Sequence, residues 1–507
     1  MKLQKSIIIL FTALIMACLA FAVMSEDITA DDVRSAAKIF GLEMTQSEID
    51  SLLPDLGEAR EDYQANRERQ LENADRPALV FNPLPPAYQI DTLVRPVVYS
   101  SPGEVKLPEN REELAFFTVL ELAELIRSKQ ISSTELTQFF IDRLRKYDPL
   151  LHCVITLTEE RALEQARLAD AEIAAGRYRG PLHGIPYGAK DLLATSEYRT
   201  TWGAMPFREQ VFDYDATVIK KLEEAGAVLV AKLTLGALAW GDVWYGERTR
   251  NPWDPERGSS GSSAGSASAV AAGLVPFAIG TETLGSIVSP STVCGTTGLR
   301  PTFGRVSRHG AMALVWSMDK IGPIARSAED CAAVFEAIYG PDGLDPSIID
   351  APFNYDHRLD PAILRVGYLK SAFERDYGFK QQDSLTLATL RNLGIELIPV
   401  ELPDMPDLGV ILSAEAAAAF DELTRSGMDD LMVRQIRNSW PNVFRAARFI
   451  PAVEYIQANR LRSRLIQQMA EVFQQVDVYV HPSWASSSLA ITNYTGHPCV
   501  VLPNGFR

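Results

Sequence analysis

The stretch Gly258 to Pro290, GSSGSSAGSASAVAAGLVPFAIGTETLGSIVSP, constrains this chain more than any other. A Gly/Ser-rich loop leads into a run of small residues. A short apolar segment follows (Val275 to Ile279), then a second Gly/Ser turn. A flexible linker accounts for the first loop but not for the alternation with a β-like apolar run and a long stretch of alanine. Two serine-bearing turns that flank one helix and one strand bring two hydroxyls into one pocket. Serine acyl transfer needs that geometry.

The surrounding text sets the fold class. Capping boxes at Thr118–Glu121 and Ser132–Glu135 open two helices. Behind the second, Leu136, Phe139, Phe140, Leu144 and Tyr147 form one apolar stripe, and Asp148-Pro149 is expected to end that helix. An Ala-rich helix covers about 159–175. Then Gly184-Ile-Pro-Tyr-Gly-Ala-Lys190-Asp191 reads as a strand leading to a lysine. Ala225 to Ala231 reads as a buried strand after the helix Ala216 to Glu224, and Val476 to Val480 as a late strand. This βα alternation predicts an α/β fold: a single large domain over 111–507 whose central mixed sheet is covered by helices on both faces. Residues 23–110 read as an acidic, helical N-terminal extension ending in a Pro-rich connector (Phe81-Asn-Pro-Leu-Pro-Pro86).

Composition narrows the partners. The net charge of −16, with no basic cluster, argues against a nucleic-acid groove. Lys2 and Lys5, the apolar run from Ile7, and Ala20-Phe-Ala22 fit a signal peptide over residues 1–22. The expectation is therefore an exported protein, periplasmic or secreted. Ile15-Met-Ala-Cys18 is lipobox-like, and anchoring at Cys18 is the less favoured reading. Cys153, Cys294, Cys331 and Cys499 sit in apolar text without zinc-ligand spacing. Buried thiols are the expectation, and neither a metal nor an organic cofactor is implied.

Several serine motifs compete. Gly261-Ser-Ser263-Ala-Gly265 matches GxSxG, the nucleophile elbow, which requires a strand directly before the serine. Here a polar loop precedes it, Asn251-Pro-Trp-Asp-Pro-Glu-Arg257. Ser317-Met-Asp-Lys320 and Ser35-Ala-Ala-Lys38 both match SxxK, but they lie in unrelated contexts and no KTG partner follows. None of the six histidines sits in a motif that marks a general base.

Residues 251–331 and the segment GIPYGAKD (184–191) resemble the amidase signature family. Asn493-Tyr-Thr-Gly-His-Pro498 adds a late feature, and the likeness continues more thinly from about Thr118 to the C-terminus. The resemblance implies a nucleophile at Ser286 and a serine held by a cis peptide bond at Ser262, with Lys190 as base. It places the oxyanion donors on the backbone N–H groups of Thr283, Leu284, Gly285 and Ser286. The chemistry is coherent. A lysine works as a base only when uncharged, and burial drives its pKa down. A bridging serine then relays the proton.

The chain departs from the family pattern at three positions. Leu284 stands where relatives usually have Gly, Glu282 where they have Asp, and Val288 where they have Arg. Leu284 does not take positive φ as cheaply as Gly, and the missing arginine removes a charge that braces the site. Relatives usually continue past the strand-like run before Arg507 with another strand and a closing helix.

The reading is thus an amide hydrolase acting on a small-molecule or peptide amide, with no nucleic acid and no obligate protein partner. Two alternatives stand beside it. One is an α/β-hydrolase-type esterase using Ser263 with His309, His481 or His497. The other is a non-catalytic binding protein on the same scaffold. A role as the glutaminase-type component of a tRNA-dependent amidotransferase conflicts with the signal peptide.

Overall fold

Every residue of the strands Pro186–Lys190, Val228–Leu233 and Phe277–Glu282 is buried. Strands covered on both faces belong at the centre of a sheet, and that is where these three pair. The computed structural model describes residues 27–69 and 71–505. In chain order the strands are β1 (Val154–Leu157), β2 (Pro186–Lys190), β3 (Val228–Leu233), β4 (Arg250–Asn251), β5 (Asp254–Gly258) and β6 (Phe277–Glu282). Then come β7 (Thr297–Arg300), β8 (Lys320–Ala325), β9 (Val366–Leu369), β10 (Leu397–Val400), β11 (Val478–Val480) and β12 (Cys499–Val501).

Seven of them form one mixed sheet in the order β1-β3-β2-β6-β8-β7-β12. β3, β2 and β6 run parallel, while β1, β8, β7 and β12 join antiparallel to their neighbours. The two-residue alternation of a strand sorts its side chains onto opposite faces. Val228 and Val230 of β3 and Ala278 of β6 pack with Ile141, Leu144, Ala267 and Val270. Leu229, Phe277 and Ile279 enter the larger core with Leu122, Phe140 and Tyr187. Helices thus cover both faces, as expected. A second sheet, β10-β9-β11, is all parallel.

Two local expectations are revised. The helix from Ser133 runs to Leu151, through Pro149, and ends on His152 in the left-handed region. A proline in a last turn forfeits one hydrogen bond without breaking the turns before it. The polar text 251–257 is not a loop but part of the hairpin β4–β5.

The described chain divides at Glu72/Asn73 into two compact units. The first holds helices Ala30–Phe40 and Gln46–Arg67, each opened by a capping box, Thr29 with Asp32 and Thr45 with Glu48. Val33, Ala37 and Ile49 are its buried apolar side chains. The second carries both sheets and the site. The segment 1–22, with its signal-peptide reading and Cys18, lies outside the described residues. No helix among the described residues is long and apolar enough to cross a membrane.

Candidate active site

Lys190 is the last residue of β2, at the C-terminal end of the parallel strands, where open α/β sheets bind ligands. Its side chain is wholly buried. Its Nζ lies 2.8 Å from Ser262 Oγ, 2.8 Å from Thr281 Oγ1, 3.1 Å from Ser263 Oγ and 3.3 Å from the Thr281 carbonyl. Every near partner is a hydroxyl or a carbonyl, and none is a carboxylate. Burial therefore dominates and pushes the lysine pKa down to about 7, against the weaker pull of Asp319 and Glu282 in the other direction.

The two neighbouring serines differ in what holds them. Ser263 Oγ accepts from Thr281 N (3.1 Å) and donates to the Thr281 carbonyl (3.1 Å), so its proton is committed to the strand. Ser262 follows a cis peptide bond from Gly261, and Lys190 is its side-chain partner. Ser263 begins the helix Ala264–Ala271, which packs on β6. Small residues make that approach possible. A Cβ on Gly265 would come within 2.4 Å of the Cys153 carbonyl and 2.5 Å of Thr234 N.

Ser286 sits on the turn between β6 and the helix Val288–Cys294, and is 8% exposed. Its carbonyl accepts from Ser263 N at 3.1 Å, which joins this turn to the first. The positive φ of the turn falls on Gly285 (+88°), not on Leu284, so the leucine is accommodated without left-handed strain. Leu284 is instead an exposed apolar side chain beside the serine.

The turn is held by charges that the sequence reading missed. Glu282 Oε2 accepts from Ile287 N (2.8 Å) and Val288 N (2.9 Å). Its Oε1 accepts from Arg300 Nη1 and Asn493 Nδ2, both at 2.7 Å. Burial alone would raise this carboxyl, but Arg300 overcomes it and the pKa falls to about 2. The guanidinium of Arg300 thus braces Glu282 although Val288 stands where relatives carry an arginine. Arg300 also donates to Thr492 Oγ1 (2.8 Å) and to the His497 carbonyl (3.0 Å). On the other side, Thr283 Oγ1 donates to Asp319 (2.6 Å), and Lys320 Nζ lies 3.5 Å from the Thr283 carbonyl. The SxxK match at 317–320, in itself a coincidence, was the available pointer to these two residues.

The histidines proposed for Ser263 go elsewhere. His309 stacks on Tyr214 with ring centroids 5.9 Å apart. His481 Nε2 meets Ser488 Oγ at 3.0 Å, and His497 Nδ1 meets Thr495 Oγ1 at 2.7 Å. With the Ser263 proton taken by Thr281 and the three histidines engaged elsewhere, the esterase alternative has no histidine base.

A model of the Amidase family matches residues 135–501. The chain belongs to the amidase family. The A subunit of glutamyl-tRNA(Gln) amidotransferase from Coxiella burnetii (strain Dugway 5J108-111) is 34% identical over 440 residues, 77% of this chain and 91% of that protein. Among solved structures, the native peptide amidase of Stenotrophomonas maltophilia is 30% identical with a TM-score of 0.68, covering 79% of this chain and 91% of that one. A structure described as an unexpected vestigial protein complex, bearing on the origins of an s-triazine catabolic enzyme, is 28% identical with a TM-score of 0.66, covering 76% and 90%. This amidase is therefore an enzyme acting on amide C–N bonds, and the non-catalytic alternative falls away.

The same comparisons correct two expectations. A chain with no nucleic acid and no obligate protein partner is not what they support. The curated relatives are named for a tRNA substrate and as one component of a larger enzyme, and one similar structure is a protein complex. The signal-peptide reading misleads here, because it is the ground for setting aside a role beside partner subunits, and it rests on the first 22 residues alone. The expectation of export is overturned by the same relatives, which are named as amidotransferase subunits. An apolar N-terminal run is a local pattern and says less about compartment than the likeness of the remaining chain does.

Proposed function

We propose that this amidase cleaves a carboxylic amide through an acyl-enzyme on Ser286, with Lys190 as base and Ser262 as the relay between them. One observation carries the reading. A lysine pushed down to about 7 by burial lies 2.8 Å from a serine hydroxyl whose neighbour, Ser263, has its own proton engaged.

The uncharged Lys190 takes the proton of Ser262, and Ser262 takes that of Ser286 as its Oγ attacks the substrate carbonyl. The oxyanion is met by the N–H groups of Thr283, Leu284, Gly285 and Ser286. Collapse expels the amine, which receives its proton back through Ser262. Water then repeats the sequence on the ester and releases the acid. Glu282 keeps the turn in place by holding the next two N–H groups, those of Ile287 and Val288.

The relatives named as amidotransferase subunits favour a second reading of the same site, in which the released ammonia is passed to an acceptor with a partner chain present. Both readings use the same acyl-enzyme. They separate on whether L-glutamine or a C-terminally amidated peptide yields ammonia, and on whether a partner is needed.

A fluorophosphonate probe with mass-spectrometric mapping tests the shared step. The adduct is expected on Ser286, and Ser286→Ala is expected to lose labelling and about 10⁴-fold or more of amide turnover. Labelling of Ser286→Ala at the wild-type rate overturns the assignment.

A further inference from the structure

Residues 73–107 cross the second unit without helix or regular strand, save an isolated bridge between Val98 and Asp356. They lie outside the family match, which begins at residue 135. Their first ten residues nevertheless support one short turn of the amidase domain, Ala313 to Ser317, by three routes: Asn73 directly, and Arg76 and Phe81 through Arg308 and Arg462.

Asn73 clips the turn at its start. Its Oδ1 accepts from Ala313 N (2.8 Å), and its Nδ2 donates to the carbonyls of Ala313 (2.9 Å) and Ala419 (3.3 Å). Arg76 pairs with the buried Asp345, which also holds Arg308 by its backbone N (2.9 Å) and Nε (3.1 Å). Arg308 in turn donates to the Trp316 carbonyl. Phe81 packs edge-on against Phe303 (5.0 Å) and lies 3.5 Å beneath the guanidinium of the buried Arg462. Arg462 donates to both the hydroxyl (2.9 Å) and the carbonyl (2.7 Å) of Ser317.

The supported turn connects outward to the site through Asp319. Leu314 N (2.8 Å) and Val315 N (2.9 Å) both donate to Asp319 Oδ2, while Asp319 Oδ1 accepts the Thr283 hydroxyl at 2.6 Å. Thr283 opens the turn that carries Ser286. A carboxylate oriented by two backbone N–H groups holds its second oxygen in a fixed place. The position of Thr283 is thus set through Asp319 by a turn that the strap holds.

We propose that the N-terminal strap positions the oxyanion loop of this enzyme, with Asn73, Arg76 and Phe81 as positioning residues acting through the 313–319 turn. The inference rests on the reading of Thr283 to Ser286 as oxyanion donors. It gives the strap a role in rate and not only in covering the core.

The test measures the concentration dependence of Ser286 labelling by a fluorophosphonate in Asn73→Ala and Phe81→Leu, with Ser286→Ala in parallel. A small displacement of donors slows chemistry without weakening encounter. The limiting rate in Asn73→Ala is expected to fall roughly tenfold, with half-saturation within about twofold of wild type. Phe81→Leu keeps an apolar filler but removes the ring beneath Arg462, and is expected to follow the same pattern more weakly. An unchanged limiting rate with a lowered melting midpoint makes the strap a structural cover and overturns the proposal. So does a change confined to half-saturation, which would place the strap along the ligand's path. If Asn73→Ala fails to fold, Phe81→Leu and Arg76→Gln decide between the same outcomes. Labelling that persists in Ser286→Ala, or a wild-type protein that takes no label, overturns the nucleophile reading and the strap proposal together. Loss in Ser286→Ala with normal rates in the strap variants overturns the strap proposal alone.

Discussion

Lys190 and Lys232 occupy neighbouring strands, one residue apart in register, and both are wholly buried. Burial lowers the pKa of each. Their surroundings then diverge. Lys232 Nζ meets the buried carboxylate of Asp191 at 2.9 Å and donates to Thr200 Oγ1 (2.8 Å) and the Arg199 carbonyl (3.2 Å). The other Asp191 oxygen accepts from Thr201 N (2.8 Å) and Oγ1 (2.6 Å). Lys190 finds only hydroxyls and a carbonyl. A charge partner makes one lysine part of a fixed ion pair that shapes the chain after β2. The lack of one leaves the other with an amine that sheds its proton near neutrality. Burial alone does not make a base; burial without a counter-charge does.

Exchanging the side chains for methionine tests that contrast. Lys190→Met keeps the volume and removes the amine. It is expected to cost about 10⁴-fold in kcat for amide turnover while leaving the melting midpoint close to wild type. Steady-state kinetics beside a thermal melt check both halves, and an active Lys190→Met protein ends the contrast. Lys232→Met is expected to do the reverse. It strands the Asp191 carboxylate in the core, which costs about 3–5 kcal/mol of stability. The folded fraction is expected to retain measurable turnover. Denaturant unfolding with activity normalised to folded protein decides the matter.

The smallest effect is the pH profile. If Lys190 is the base proposed above, its pKa of about 7 leaves it protonated below that value, so kcat/KM is expected to rise about tenfold per pH unit up to neutrality and then level off. A profile that falls across this range removes Lys190 from the role.

Much of this was legible in the chain. The strand before Lys190, the small-residue helix after Ser263 and the Gly285 turn follow from apolar runs, glycines and turn residues close together in sequence. Strand ends were less legible. β3 and β6 extend past their apolar text to Lys232 and to Thr281-Glu282, because these polar residues are buried with partners contributed from elsewhere. The hairpin at 250–258 was hidden by two prolines. The brace on the Ser286 turn was out of reach, since Glu282 meets Arg300 across 18 positions and Asn493 across 211. No local pattern encodes such pairings. The contrast between Ser262 and Ser263 came only from the resemblance, since nothing in the two residues' own text shows that Thr281 takes the proton of one.

The carboxylate of Glu282 ties the end of β6 to the helix Ser488–Thr495, 211 positions away at Asn493. A chain that ends before Asn493 would contain the central strands and Lys190, yet Glu282 Oε1 would keep Arg300 as a donor and lose Asn493. During synthesis, then, the turn that carries Ser286 gains this support only once Asn493 has emerged, 211 positions after Glu282.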